Sequence, residues 1–304
     1  MRLILALLVA LWAASAEAAT VYVCDTGGDD TRSYATAQSV LTPWDTIGRA
    51  AWGTTNRAAQ NSALAAQTGD TVLVCAGTYD FAGVVSDRWS AVYNPANPGV
   101  TFEAAAAVTL TAASTASPVI GCDARDSVIW TGAFTLDEAN ILIAADTGPV
   151  VLHDASGCQV VGVTLIGITQ AYNDNHNGIR IEVCDDCLVR NVSFTGFRKT
   201  PDNHNGSCIT AYGTTNTIIE HIDCRDSAAG VFWKDTSTYV HGGNIVRYSY
   251  FEGVGQMFVM SLVGATSTET GSTHYQNVGA DVGACVNTIG DDDAGPTGDR
   301  FINN

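Results

Sequence analysis

The chain has 304 residues, 46% of them hydrophobic and only 15% charged, with 31 acidic against 14 basic side chains and a net charge of −17. That balance excludes the usual electrostatic route to nucleic acid or to an anionic membrane surface, and it fits a well-solvated acidic protein. The length can bury a large core and no Pro/Ser-rich linker divides it, so one domain over residues 19–304 is expected, as a monomer.

In chain order, Arg2 precedes the apolar run LILALLVALW (residues 3–12), and small residues lead to Ala16-Glu17-Ala18. A basic start, a short apolar stretch and an A-x-A site read as a secretory signal over residues 1–18. Ten apolar residues are too few to span a bilayer. No membrane insertion is expected, and the product is read as secreted or periplasmic. Nine cysteines in an exported chain favour disulfides, and the odd count leaves at least one unpaired. Cys184-Asp-Asp-Cys187 has redox or zinc spacing, but no second C-x-x-C completes a zinc site and no βαβ setting supports redox chemistry.

Next come two strand-like segments in one register, VYVC (residues 21–24) and VLVC (residues 72–75). Strands one rung apart place Cα atoms ~4.8 Å from each other, within bridging range, so Cys24 and Cys75 are expected to form a disulfide. Between the segments, residues 43–70 contain an Ala-rich helical stretch. The matching residues Pro43-Trp44-Asp45-Thr46-Ile47, Ala50, Gly69-Asp70-Thr71-Val72 and Gly77-Thr78-Tyr79 resemble the N-terminal region of right-handed parallel β-helix proteins of the pectin-lyase-like superfamily. That resemblance implies a capping helix over the first rung, where an open solenoid end would expose strand edges.

The rest of the chain repeats. DNHNG occurs at residues 174–178 and again at 202–206. Around it, an apolar residue is followed two positions on by a turn residue and five positions on by another apolar one. The triplets are Val160/Gly162/Leu165, Val189/Asn191/Phe194, Ile219/His221/Cys224 and Val246/Tyr248/Phe251, and they recur at nearly constant spacing. Short alternating strands with no room for helices between them mean a solenoid, all-β, with coils of about 30 residues. DNHNG then reads as a recurrent turn, with His176 and His204 one rung apart. Asn191 and His221 are expected to point inward as an Asn-type ladder. Cys158 and Cys187, one rung apart, are a further candidate disulfide. The final GDRFINN resembles the start of another coil, so the chain reads as truncated there.

Alternation with Ile179 and Ile181 inward turns Arg180 and Glu182 outward. The following rungs then offer Tyr212 and Lys234, the latter one of only two lysines. An aromatic face between a carboxylate and an amine suits a sugar, which makes Glu182 and Tyr212 substrate-binding candidates; a structural cross-rung pair is the alternative. Arg190, Glu220 and Arg247 read as a charge ladder on another face, with Arg190 and Glu220 in solvent. The resemblance implies a polysaccharide as partner and, in many relatives, β-elimination from a uronate polymer. That chemistry needs a cation beside the carboxylate, a base and a proton donor. Lys234, Tyr212, Arg180, His176 and His204 are the candidates for these catalytic roles, although His176 and His204 equally suit turn structure. Calcium is a candidate cofactor, through Asp291, Asp292 and Asp293, with a solvated loop as the alternative. The paired-Asp and Gly-His-Gly signature of polygalacturonases and the W-x-D-H-type pattern of pectate lyases are both missing. A non-catalytic adhesion solenoid is therefore the competing reading.

Overall fold

The computed structural model describes residues 18–81, 92–116, 118–142, 147–170, 175–199, 205–235, 241–262, 269–290 and 300–302. Residues 1–17 of the expected signal segment 1–18, His204 and the acidic run at 291–293 lie outside the described residues. Over the described residues the chain is a parallel β-solenoid of about six turns, with coils of about 29 residues and one short helix near the start.

One coil consists of His176–Asp185, Leu188–Arg190 and Ser193–Thr195, and the next of Gly206–Tyr212, Ile218–Glu220 and Asp223–Arg225. Each strand pairs in parallel with its equivalent one rung away. The widest face is a seven-stranded sheet from Ile120–Asp123 to Ala284–Gly290. The two narrower faces belong to one sheet, because Ile129–Leu142 pairs with a strand on each of them.

Equivalent side chains stack inside. Val72, Phe102, Trp130, Val160, Val189, Ile219, Val246 and His274 form one continuous column in register, each with no exposed surface. Burying each such apolar side chain contributes roughly 1.5–3 kcal/mol. Phe102 and Trp130 add offset ring stacking, with centroids 4.2 Å apart and planes 9° from parallel. The triplet spacing read from the sequence is this register.

The turns depart from expectation. Gly162, Asn191, His221, Tyr248 and Gln276 all occupy the left-handed region, with φ of 74°, 55°, 53°, 53° and 53°. A left-handed residue throws its Cβ outward at the corner, so Asn191 and His221 are exposed, not inward. The residue after each corner is the one that points in: Val163, Val192, Ile222, Ser249 and Asn277 are buried. Two asparagines that do point inward directly after a left-handed corner are Asn244 and Asn277. Asn244 accepts from Thr217 N–H at 3.0 Å and donates to Thr214 O at 3.0 Å; Asn277 does the same for Ser249 N–H and Val246 O, both at 3.1 Å. Each satisfies two backbone groups of the preceding rung that would otherwise be buried unpaired.

DNHNG is also not one recurrent turn. The register pairs His176 with Gly206 and Ile179 with Ile209. His176 thus aligns with the glycine that ends the second copy and not with His204. The two copies are two positions out of phase, and their histidines are not equivalent sites.

At the start, Thr20–Val23 pairs in register with Thr71–Val74, as the two VxVC-type segments imply. The helix is shorter than the Ala-rich composition suggests: Ile47–Trp52, capped by Thr46, whose hydroxyl accepts from Arg49 N–H. Gly53 ends it at φ 76°, and a Cβ there would lie 1.9 Å from Asn61 O, so the chain must turn at a glycine. The Trp44-Asp45-Thr46 motif is held by Asp30, whose carboxylate accepts from Asp45 N–H, Thr46 N–H and the Thr46 hydroxyl at 2.6–3.0 Å.

Cys24 is bonded to Cys75. Cys158 and Cys187 do not bond to each other: Cys158 pairs with Cys122 and Cys187 with Cys184. The reason is directional, since Cys184 and Cys187 bracket one corner of the same coil. Cys208 pairs with Cys224 across the interior, and Cys285 is free and exposed. Peptide mapping under non-reducing conditions is expected to return these four cross-links and a single alkylatable thiol at Cys285. Recovery of a Cys158–Cys187 peptide would contradict the Cys122–Cys158 and Cys184–Cys187 pairings.

Candidate functional site

The outer side of the seven-stranded sheet carries a column of ionisable groups in strict register. Asp123 pairs with His153 and His153 with Glu182, while Glu182 pairs with Tyr212. The next rung continues from Ala211↔Trp233, which puts Lys234 beside Tyr212, its Nζ 5.6 Å from the ring centroid. Strand alternation places all of these opposite the core residues Cys122, Leu152, Ile181, Ala211 and Trp233.

The predicted residues Glu182, Tyr212, Lys234 and Arg180 come together, but not as an open platform. Tyr212 is only 5% exposed and Arg180 only 4%. The Arg180 guanidinium lies 4.5 Å from the Tyr212 ring centroid, and its Nε donates to Glu182 Oε2 at 3.0 Å. Asn175, buried, donates from Nδ2 to the Tyr212 hydroxyl at 3.0 Å, while its Oδ1 accepts from Lys234 Nζ at 2.9 Å. Tyr212 is thus held on its face and at its hydroxyl. Lys234 is half-buried.

His176 belongs to a neighbouring cluster. Its Nε2 lies 2.6 Å from Glu138 Oε2 and its Nδ1 3.1 Å from Arg198 O, and both the His176 and Glu138 side chains are buried. Glu138 Oε2 also accepts from Ile168 N–H at 3.0 Å, whereas Oε1 is buried with no hydrogen-bond partner. The two networks adjoin at the chain step from Asn175 to His176.

The column opens at its other end. His153 and Asp123 retain 25% and 19% of their side-chain surface, against 12% for Glu182. His153 Nδ1 sits 2.8 Å from Asp123 Oδ1. That hydrogen bond raises the histidine pKa above its usual value; partial burial opposes it, and the Asp123 and Glu182 charges reinforce it. Beside this end, the left-handed corner residues Ala124, Asp154, Val183 and Gly213 follow the column. Asp154, Val183 and Gly213 border a cleft of about 280 Å³ that Asp126, Asp185 and Thr215 also line.

His153 and Asp123 escaped the sequence reading, yet the signal was there. They precede Glu182 at the coil spacing, so extending the column backward from Glu182 reaches His153 and then Asp123. Asn175 had no such signal, since its role depends on how the chain enters the strand. Among the described residues, no group of three or more His, Cys, Asp or Glu side chains is placed to hold a metal ion.

Compared with known protein families, the chain matches none, and no curated protein sequence matches it. Solved structures do resemble it. The GH136 lacto-N-biosidase from Eubacterium ramulus is 9% identical, with a TM-score of 0.45 over 93% of this chain and 68% of that one. The tailspike protein of E. coli bacteriophage HK620 is 13% identical at 0.47, covering 76% of this chain and 46% of its own. The alginate lyase from Paenibacillus sp. str. FPU-7 is 16% identical at 0.40, covering 82% and 97%. The likeness is one of fold.

On a third face the charge ladder forms as the sequence implies, with one difference. Arg190 and Arg247, from the rungs on either side, both donate to Glu220. Glu220 is 4% exposed, not in solvent, because it is enclosed between the two guanidinium groups. Burial alone would raise its pKa, but the hydrogen bonds from Arg247 and Arg190 outweigh that and hold it below the usual carboxylate value.

Proposed function

We propose that the protein binds an extracellular polysaccharide along the outer side of the seven-stranded sheet. The observation that carries this reading is the register column Asp123–His153–Glu182–Tyr212–Lys234, which sets donors, acceptors and both charge signs at rung spacing beside a cleft. His153, Asp123 and Glu182 are the contacts at the open end. Arg180, Tyr212 and Asn175 form the bonded wall that holds them. A row of polar groups repeating every ~4.8 Å suits a polymer lying along the solenoid axis better than a compact ligand.

β-Elimination is the second reading. Lys234 and Arg180 supply positive charge, His153 a base and Tyr212 a hydroxyl in one column. Binding is favoured over cleavage because the Tyr212 hydroxyl is already engaged by Asn175 and its ring is covered by Arg180. Four disulfides fit an oxidising compartment, and no helix among the described residues is long and apolar enough to cross a membrane. Export after loss of residues 1–18, and a monomeric single domain over 19–304, are part of the same proposal.

The test is a panel of immobilised neutral and uronate polysaccharides, with and without Ca²⁺, followed by ultraviolet detection of unsaturated products. His153→Ala and Lys234→Ala are each expected to weaken retention about tenfold, the scale of a lost charged contact. Tyr212→Phe is expected to leave binding largely intact. Loss of product formation with both Lys234→Ala and Tyr212→Phe would establish the lyase reading instead. Wild-type protein that is retained by no polysaccharide would refute both.

A further inference from the structure

A second exposed feature lies on the corner between the two narrower faces, away from the column described above. There, successive rungs present Asn191, His221, Tyr248 and Gln276 at one left-handed turn position. The His221 and Tyr248 rings stack 5.3 Å apart with planes 17° from parallel, and Tyr275 meets Tyr248 edge-on at 5.5 Å. His221 is exposed, Tyr248 is 45% exposed and Tyr275 is half-buried.

The backbone makes these residues informative. A left-handed φ is easy for Gly and tolerable for Asn, and earlier rungs use Gly162 and Asn191 at this position. Histidine is tolerated there as well, whereas a bulky tyrosine is a genuine outlier. The next rungs nonetheless carry His221 and Tyr248, each at φ 53°. Turn geometry does not favour a tyrosine here, so the strain at Tyr248 points to a role for its ring outside the turn. The polar rim is in place too. Arg247 lies 5.7 Å from the Tyr248 centroid and donates to the Tyr275 hydroxyl at 2.9 Å, and Arg190 lies two rungs away, on the far side of Glu220. Two arginines around one carboxylate, Glu220, leave this strip net positive on a chain of −17.

We propose that the row His221–Tyr248–Tyr275 is a separate glycan-binding strip. Sugar rings pack against the exposed parts of the Tyr248 and His221 rings, and the Arg190–Glu220–Arg247 ladder bonds their hydroxyl or carboxylate groups. The ligand class is that of the proposed function, on which this inference rests. The site and its residues are independent of it.

The experiment is affinity electrophoresis of the full chain through gels containing either a neutral β-glucan or polygalacturonate, with melting temperatures measured alongside. Tyr248→Asn and His221→Asn restore the residue that the turn prefers. Each is expected to leave the melting temperature unchanged or raised while weakening retention at least fivefold, and Tyr248→Trp is expected to keep retention. A turn or packing role predicts the reverse, a lower melting temperature with retention unaltered, and that result overturns the proposal. Should Tyr248→Asn fail to fold, His221→Asn against Tyr248→Trp decides on retention alone. If His153→Ala abolishes retention and the turn variants do not, this strip is refuted while the first site stands. If wild-type protein migrates freely in both gels, both readings fall.

Discussion

Trp233→Ala is expected to lower the free energy of unfolding by about 3–5 kcal/mol, the range for deleting a large buried aromatic side chain. Trp233 has no exposed surface and stacks in register between Ala211 and Met260. Its ring also meets His241 edge-on at 5.5 Å and His274 at 6.2 Å. Neighbouring rungs are tied by strand pairing on both sides, so they have little freedom to collapse into the cavity. Lys234→Ala, one residue on, removes a half-buried side chain from the opposite side and is expected to cost about 1 kcal/mol or less. Urea unfolding of both variants checks the pair, and equal losses would mean that the strand alternation on this face is misassigned.

The second large effect is acid sensitivity above the range where carboxylates titrate. His241 and His274 have no exposed surface, and burial lowers their pKa values to about 4 and about 3. In the unfolded chain both titrate near 6.5, so between pH 6.5 and about 4 the unfolded state binds protons that the folded state refuses. Stability from these residues is therefore complete above pH 6.5 and declines as the pH falls through that window. Each lowered unit is worth about 1.4 kcal/mol, so the loss amounts to several kcal/mol by pH 4. His153 has the opposite sign: its raised pKa contributes stability that is full below 6.5 and lost only at higher pH, so it does not mask the effect. Urea midpoints should not fall between pH 7.5 and 6.5 and should then fall steadily from 6.5 to 4. In His274→Leu the slope should be shallower, because Leu suits the column that Val246 occupies one rung away. A profile that is flat down to pH 4 would contradict the burial of both rings.

The coil length, inward positions such as Ile179 and Ile181, and the Cys24–Cys75 bridge were legible because each depends on strand periodicity or on rung-to-rung register. Errors arose where local geometry at a corner decides direction. Asn191 and His221 sit in the alternation as if inward, and only the left-handed φ turns them out. The DNHNG copies look equivalent as text but are two positions out of phase, since coil length is set by the strands and not by the loop composition. At the candidate site, the column was readable from Glu182 to Lys234. That Tyr212 is covered was not, because Asn175 reaches it from a distant point in the chain through a segment with no periodic signal.

The core column is apolar through its early rungs, from Val72 to Val246, and becomes polarisable only at His274, with His241 close by on the other side of Trp233. Each rung in such a stack touches only the rungs above and below it. Protonation of these two histidines is then a regional event, which severs the later coils from a remainder that keeps its own packing. Mild acid would shorten this solenoid from one end before it melts the whole, leaving the Asp123–His153 end of the column standing while the Tyr248 corner comes apart.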